Sequence, residues 1–261
     1  MKPVPGGFAT SRPGVGLNCE LDHLVLAART LDEGVAWCEE TLGITPGPGG
    51  RHALMGTHNR VFAIGSEVFP RAYFEIIAID PDALPGRAQG ATFPLGVRRA
   101  APCGPRQASP GRRRWFDLDD AGLQAVLARG PRLVHWVART AELDAAVAAL
   151  TAQGIDVGRV LQASRPTPQG ELRWRIAVRD DGQRLFGGAL PMLIEWGAVH
   201  PADALPESGV TLASLTLCAR DPAVLRRALQ ALGLATTPEG GAAICATLNT
   251  PRGTVTLCSP P

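Results

Sequence analysis

Residues 21–30 read LDHLVLAART, and residues 31–44 continue as LDEGVAWCEETLGI. The same shape recurs twice. Residues 132–140 (RLVHWVART) run into AELDAAVAALTAQGI, ending at Ile155, and residues 212–221 (LASLTLCARD) run into PAVLRRALQALGL, ending at Leu234. Each copy opens on a short apolar strand that ends in Ala-Arg-Thr or Ala-Arg-Asp. Thr30, Thr140 and Asp221 then suit a helix N-cap, because a side-chain oxygen there accepts from a free backbone N–H. Apolar residues follow at helical spacing, Leu31, Val35, Cys38 and Leu42 in the first copy and Leu143, Val147 and Leu150 in the second. Each helix stops at a glycine, Gly43, Gly154 or Gly233, which accepts the left-handed turn that ends a helix.

Working outward, each helix is followed by candidate strands. In the first copy these are residues 51–55, 60–65 and 73–80, and in the second 156–162, 171–179 and 191–197. The third copy has room only for 243–248 and 254–258. Strand, helix, then two or three strands predicts an α+β fold of repeated βαβββ units, their helices on the outer face of a cupped mixed sheet. The expected division is a flexible arm at 1–18, a first unit at 19–81, a connector at 82–131, a second unit at 132–205 and an abbreviated third unit at 206–261. The connector is an Arg-, Pro- and Gly-rich loop with a short helix near 119–129.

Composition narrows the function classes. The 261 residues are 45% hydrophobic, enough for a full core, and the net charge is +2. That balance argues against a nucleic-acid partner. The arginines at 98, 99, 106 and 112–114 have no interleaved aromatic residues and read as a solvated loop. No signal-peptide or membrane-length apolar window is present, so a cytoplasmic, non-membrane protein is expected. The six cysteines form no CxxC pair, which favours reduced, buried thiols over disulfides.

The paired units, the opening LDHLVL, the stretch YFEIIA at 73–78, GGRH at 49–52, GTHN at 56–59 and LIEWG at 193–197 together resemble the glyoxalase-like domain family of the vicinal oxygen chelate superfamily. The resemblance covers about residues 20–80 and 115–258. It implies a cup in which the first and last strands of each unit supply metal ligands. Carried over, these are His23 and Glu75 in the first unit and His135 and Glu195 in the second. Two imidazoles and two carboxylates suit zinc, nickel, iron(II), cobalt or manganese. The metal would polarise a carbonyl or vicinal-oxygen small-molecule substrate, and Glu75 or Glu195 would serve as general base in a lyase or isomerase. The spacing is uneven: His23 stands seven residues before Thr30, His135 only five before Thr140, a shift able to carry His135 out of a shared site.

Read without the family, Glu75 and Glu195 are each a single carboxylate in an apolar strand, costly unless paired, whether by a metal or by an arginine such as Arg60, Arg173 or Arg175. His23 and His135 are ligands or core histidines. His58, with Asn59 and Arg60, is either a surface residue or placed to line the mouth of the cup; Arg173 and Arg175 either hold an anionic group or form a solvated face; and Trp196 is a core residue or, as a substrate contact, an apolar wall. His200 reads as a loop residue. The third unit has Ser214 where His23 would align, Thr216 where His135 would, and no strand carboxylate, so it is expected to carry no metal and to pack on the cup or form a homodimer surface. The rival to an enzyme is a metal-free protein that binds or sequesters a small molecule in the same cup.

Overall fold

The computed structural model describes residues 16–83, 112–167, 170–241 and 244–260. Residues 1–15 of the proposed arm, and the arginines at 98, 99 and 106, lie outside these. Three strand–helix openings are present: β1 (Glu20–Ala27) with α1 (Leu31–Thr41), β5 (Arg132–Arg139) with α3 (Leu143–Thr151), and β9 (Thr211–Ala219) with α4 (Pro222–Ala231). The first is followed by β2 (Gly47–His52), β3 (Thr57–Ala63) and β4 (Tyr73–Ile79), and the second by β6 (Arg159–Thr167), β7 (Gly170–Val178) and β8 (Met192–Trp196). A short helix α2 (Ala121–Leu127), capped by Asp120, joins the two units. Gly43, Gly154 and Gly233 do end the three long helices, with φ of 77°, 75° and 72°.

Eight strands form one sheet in the order β2-β3-β4-β1-β5-β8-β7-β6. Within each unit the first strand runs parallel to the last, and β1 and β5 join the units antiparallel at the centre. Strand alternation sends Leu24, Leu26, Phe74, Ile76, Trp136 and Leu193 to the helix-covered face. Val25, Ile77, Val137, Ile176 and Ile194 go to the other face, where Trp115, Phe116, Leu118 and α2 fill one end of the cup. Gly34 lets α1 lie directly on β4, since a Cβ there would collide with Ile76 Cγ2.

The third unit differs from a βαβββ module. Its strands β10 (Glu239–Gly240), β11 (Ile244–Thr250) and β12 (Gly253–Cys258) form a separate sheet in the order β10-β9-β11-β12, with β11 antiparallel to β9. Leu212, Leu215, Leu217, Leu225, Leu229 and Ile244 join one continuous core with Leu133, Trp136 and Leu143. Two of the cysteines are not the reduced thiols expected from their spacing. Cys245 and Cys258 are paired across β11 and β12, Cα atoms 4.1 Å apart, and joined as a disulfide. The pairing arises from strand register, which cysteine spacing does not reveal. Cys19, Cys38 and Cys218 are free, and Cys103 lies outside the described residues.

The pairing also settles how the repeats align. Glu142, not Thr140, is the N-cap of α3, while Thr140 Oγ1 accepts from Glu142 N–H. His23, His135 and Ser214 therefore stand alike, each seven residues before its cap at Thr30, Glu142 or Asp221. Each follows a bulged residue, Asp22, Val134 or Ala213, where the ladder slips by one. A bulge turns two successive side chains towards one face.

Candidate functional site

The bulge at Asp22 directs both Asp22 and His23 into the cup. Asp22 is fully buried yet receives three donors: His23 Nδ1 at 2.6 Å, His200 Nε2 at 2.8 Å and Trp196 Nε1 at 2.9 Å. Burial alone would raise its pKa, but the His200 and His23 hydrogen bonds outweigh it and hold the carboxyl well below its ordinary value. The tautomers follow. Ala202 N–H donates to His200 Nδ1, so His200 carries its proton on Nε2 and gives it to Asp22. His23 likewise gives Nδ1–H to Asp22, leaving Nε2 facing Glu75 Oε2 at 3.6 Å. Tyr73 stacks on the His23 ring at 4.5 Å, and burial together with the neighbouring carboxylates pushes its phenol up.

Glu75 is held from a second side. Gly50 N–H donates to Asn59 Oδ1 at 2.7 Å, which turns Asn59 Nδ2 to donate to Glu75 Oε1 at 2.6 Å. His52 Nε2 stands 3.8 Å from the same oxygen, and its Nδ1 lies 3.1 Å from Thr57 Oγ1. Burial lowers His52 to about 4, with Arg165 adding to the shift, so it is neutral at pH 7. His23, His52, Asn59, Tyr73 and Glu75 surround a cavity of about 50 Å³, room for a reacting group of a few atoms. It adjoins an open cleft of about 1090 Å³, and His52, Trp115, Arg165, Trp174, Ile176 and Trp196 line both.

The other expected site residues are placed differently. Glu195 sits one residue beyond Ile194, which faces the cup, so its side chain turns towards α3, at the border of the open cleft and outside the small cavity. There it accepts from Leu143 N–H at 3.1 Å, in the first turn of α3, and pairs with Arg175. The residue matching Glu75 is Met192. Ala28 N–H bonds to Ile77 O and Thr140 N–H to Ile194 O, and Glu75 and Met192 each stand two residues before those acceptors. His135 keeps the register of His23, yet its Nδ1 donates to Gly188 O at 3.1 Å and Phe116 covers its ring. Burial and Arg184 hold it down to about 3. His58 and Arg60 alternate away from Asn59, opposite Ala78 and Ile76, and thus face away from the cup. Arg173 is exposed and pairs with Glu171, on the face of β7 opposite Trp174. Trp196 does wall the cavity and also anchors Asp22. Asp22, His52, His200, Trp115 and Arg165 escape the sequence reading as site residues. LDH at 21–23 is a visible motif, but nothing local marks a partner 178 residues away.

Residues 21–233 match the family described as the glyoxalase-like domain. The chain belongs to this family. Among solved structures it is similar to a hypothetical protein from Staphylococcus aureus, at 13% identity over 92% of this chain and 85% of that one, with a TM-score of 0.53. It is also similar to methylmalonyl-CoA epimerase from Mycobacterium tuberculosis, at 17% identity over 74% of this chain and 97% of that one, TM-score 0.37. A variant of Streptomyces coelicolor methylmalonyl-CoA epimerase, in complex with 2-nitronate-propionyl-CoA, shares 16% identity over 69% of this chain and 98% of that one, TM-score 0.36. No curated protein matches. Within the family frame, the four-residue metal set does not fit this glyoxalase-like protein. Glu195 is committed to α3 and Arg175 on the far face, and His135 is committed to Gly188. Among the described residues no three His, Cys, Asp or Glu side chains converge to hold a metal ion. Nor is any described helix long and apolar enough to cross a membrane.

Proposed function

We propose that this glyoxalase-like protein is an enzyme that moves a proton on a carbon next to a carbonyl, as a lyase or isomerase acting on a small molecule. The observation that carries the reading is Asp22. A buried carboxylate with three donors orients the His23 ring through Nδ1 and turns Nε2 towards Glu75, on the wall of the small cavity. A carboxylate that orients an imidazole and stabilises its protonated form is a general-base arrangement. His23 Nε2 takes the proton from the carbon, the electron pair moves onto the carbonyl oxygen, and Asp22 and Glu75 stabilise the imidazolium. Return of that proton to the same or a neighbouring carbon completes the reaction. Asn59 holds Glu75 so that its second oxygen stays directed at His23. No step here passes through a metal, because only His23 and Glu75 of the four expected ligands face the cavity.

The test is proton exchange in D₂O, followed by NMR, on a panel of α-hydroxyketones, 2-oxo acids and 2-oxoaldehyde–thiol adducts. The wild type should exchange the α-proton of at least one probe class, His23→Gln should slow it by about 10²- to 10⁴-fold, and chelator should leave it unchanged. Exchange indifferent to His23→Gln sinks the assignment. Exchange that needs added zinc, nickel, iron(II), cobalt or manganese restores the metal-dependent reading. A second reading, sequestration without turnover, is favoured by the size of the cleft and its Trp115, Trp174 and Trp196 walls. Saturable binding of a probe with no exchange in any class would select it.

A further inference from the structure

Two side-chain donors without an acceptor among the described residues line both the small cavity and the cleft. Trp115 is 6% exposed, and its indole Nε1 has no hydrogen-bond partner among the described residues. An N–H buried without an acceptor is costly, and native proteins seldom carry one unless something else meets it. The ring is held firmly, edge-on to His52 at 5.1 Å and stacked on Phe116 at 5.3 Å. The chain beyond it is held in an unusual shape. Phe116 and Asp117 have φ of 59° and 57°, and Asp117 is tied down by Arg184 and by its N–H to Gly182 O. Consecutive left-handed non-glycine residues are strained, and such strain gathers where a side chain must be aimed.

Arg165 is the second donor. It lies on β6, on the far rim of the sheet, and reaches across to β2, where its Nη1 fills the space that a Cβ on Gly50 would take. The other arginines of the cleft are neutralised: Arg51 by Asp80 and Asp82, Arg173 by Glu171, and Arg175 by Asp144 and Glu195. Arg165 has no carboxylate partner among the described residues, although its charge is felt by both His52 and Tyr73. A guanidinium without a carboxylate partner, lining the same cavity as an unpartnered indole N–H, is suited to a carboxylate or an enolate oxygen.

We propose that Trp115 and Arg165 form an oxyanion-recognition subsite that makes the protein select anionic carbonyl compounds, Arg165 binding the carboxylate and Trp115 the adjoining oxygen. The role of that oxygen in turnover rests on the proton-transfer reading, but the subsite is tested by binding alone. The measurement is a titration of ¹⁵N-tryptophan-labelled protein with oxalate in the presence of chelator, the Trp115 indole resonance being assigned with Trp115→Phe. Oxalate should shift that resonance saturably, and Arg165→Met should weaken binding by about 10- to 100-fold. Trp115→Phe, read by isothermal titration, should weaken it by about 3- to 10-fold. Neutral oxamide should not bind. A Trp115 resonance unmoved by millimolar oxalate, equal affinity for oxamide, or full affinity in Arg165→Met would each overturn the subsite. Because Arg165 is only half-buried, its variant keeps the test decisive even if Trp115→Phe fails to fold. Oxalate binding retained by His23→Gln, with no proton exchange in the wild type, would leave the subsite standing and sink the enzymatic reading instead.

Discussion

Asp22 joins structure to chemistry at the level of single residues. It lies at a bulge, so the backbone step that turns it inward also turns His23 inward, and three donors then stabilise its charge. Asp22→Asn would set an amide against those donors. It should cost about 2–4 kcal/mol in denaturant unfolding and also cut proton exchange, since the His23 tautomer is no longer held. The buried histidines set the acid limit. Burial lowers His52 to about 4 and His135 to about 3, whereas both take up a proton near the usual 6.5 once unfolded. Between those values the unfolded chain binds more protons, so stability is full above pH 6.5 and falls as the pH drops towards 3. His135→Gln should unfold more easily at pH 7 by about 1–2 kcal/mol, through loss of the Gly188 hydrogen bond and packing, yet lose less between about pH 7 and 4.5 than the wild type. An equal loss in both proteins would exclude His135 as a source of the acid sensitivity.

Among the elements, α3 and α1 show what a strand carboxylate and a helix glycine do for packing. The N-cap of α3, Glu142, provides no side-chain hydrogen bond, and Glu195 from β8 meets the Leu143 N–H instead. Glu195→Ala should therefore lower stability by about 1 kcal/mol, as a lost cap does, while proton exchange stays at the wild-type rate. A collapse of exchange with intact stability would return Glu195 to the catalytic site. Gly34→Ala sets two effects against each other. Alanine improves helix propensity by about 1 kcal/mol, but the new methyl collides with Ile76, and overpacking costs about 1–3 kcal/mol. The contact is with the body of a core side chain, so net destabilisation is expected in thermal unfolding.

In the whole molecule the third unit is part of the same core rather than an appendage. Leu212, Leu215 and Leu225 pack with Trp136 and Leu133 from the centre of the large sheet, so calorimetry should show a single cooperative transition. Two separated transitions would show that the third unit folds by itself. The threefold strand–helix repeat, the closing glycines and the α+β class were legible in sequence, because apolar period, cap residues and C-terminal glycines are local signals. Glu75 and His23 were legible too, as polar residues inside apolar strands. Asp22 stood in the same motif, but its role depends on His200 and Trp196, brought to it only by the pairing of β1, β5 and β8. Glu195 was misplaced because it stands three residues beyond Met192, the counterpart of Glu75, and an odd shift along a strand reverses the face a side chain takes. The sequence by itself determined which elements form and which polar residues lie within them. The tertiary structure alone decided which of those residues share a face, because bulges and strand register act on single residues whereas hydrophobic periodicity averages over many.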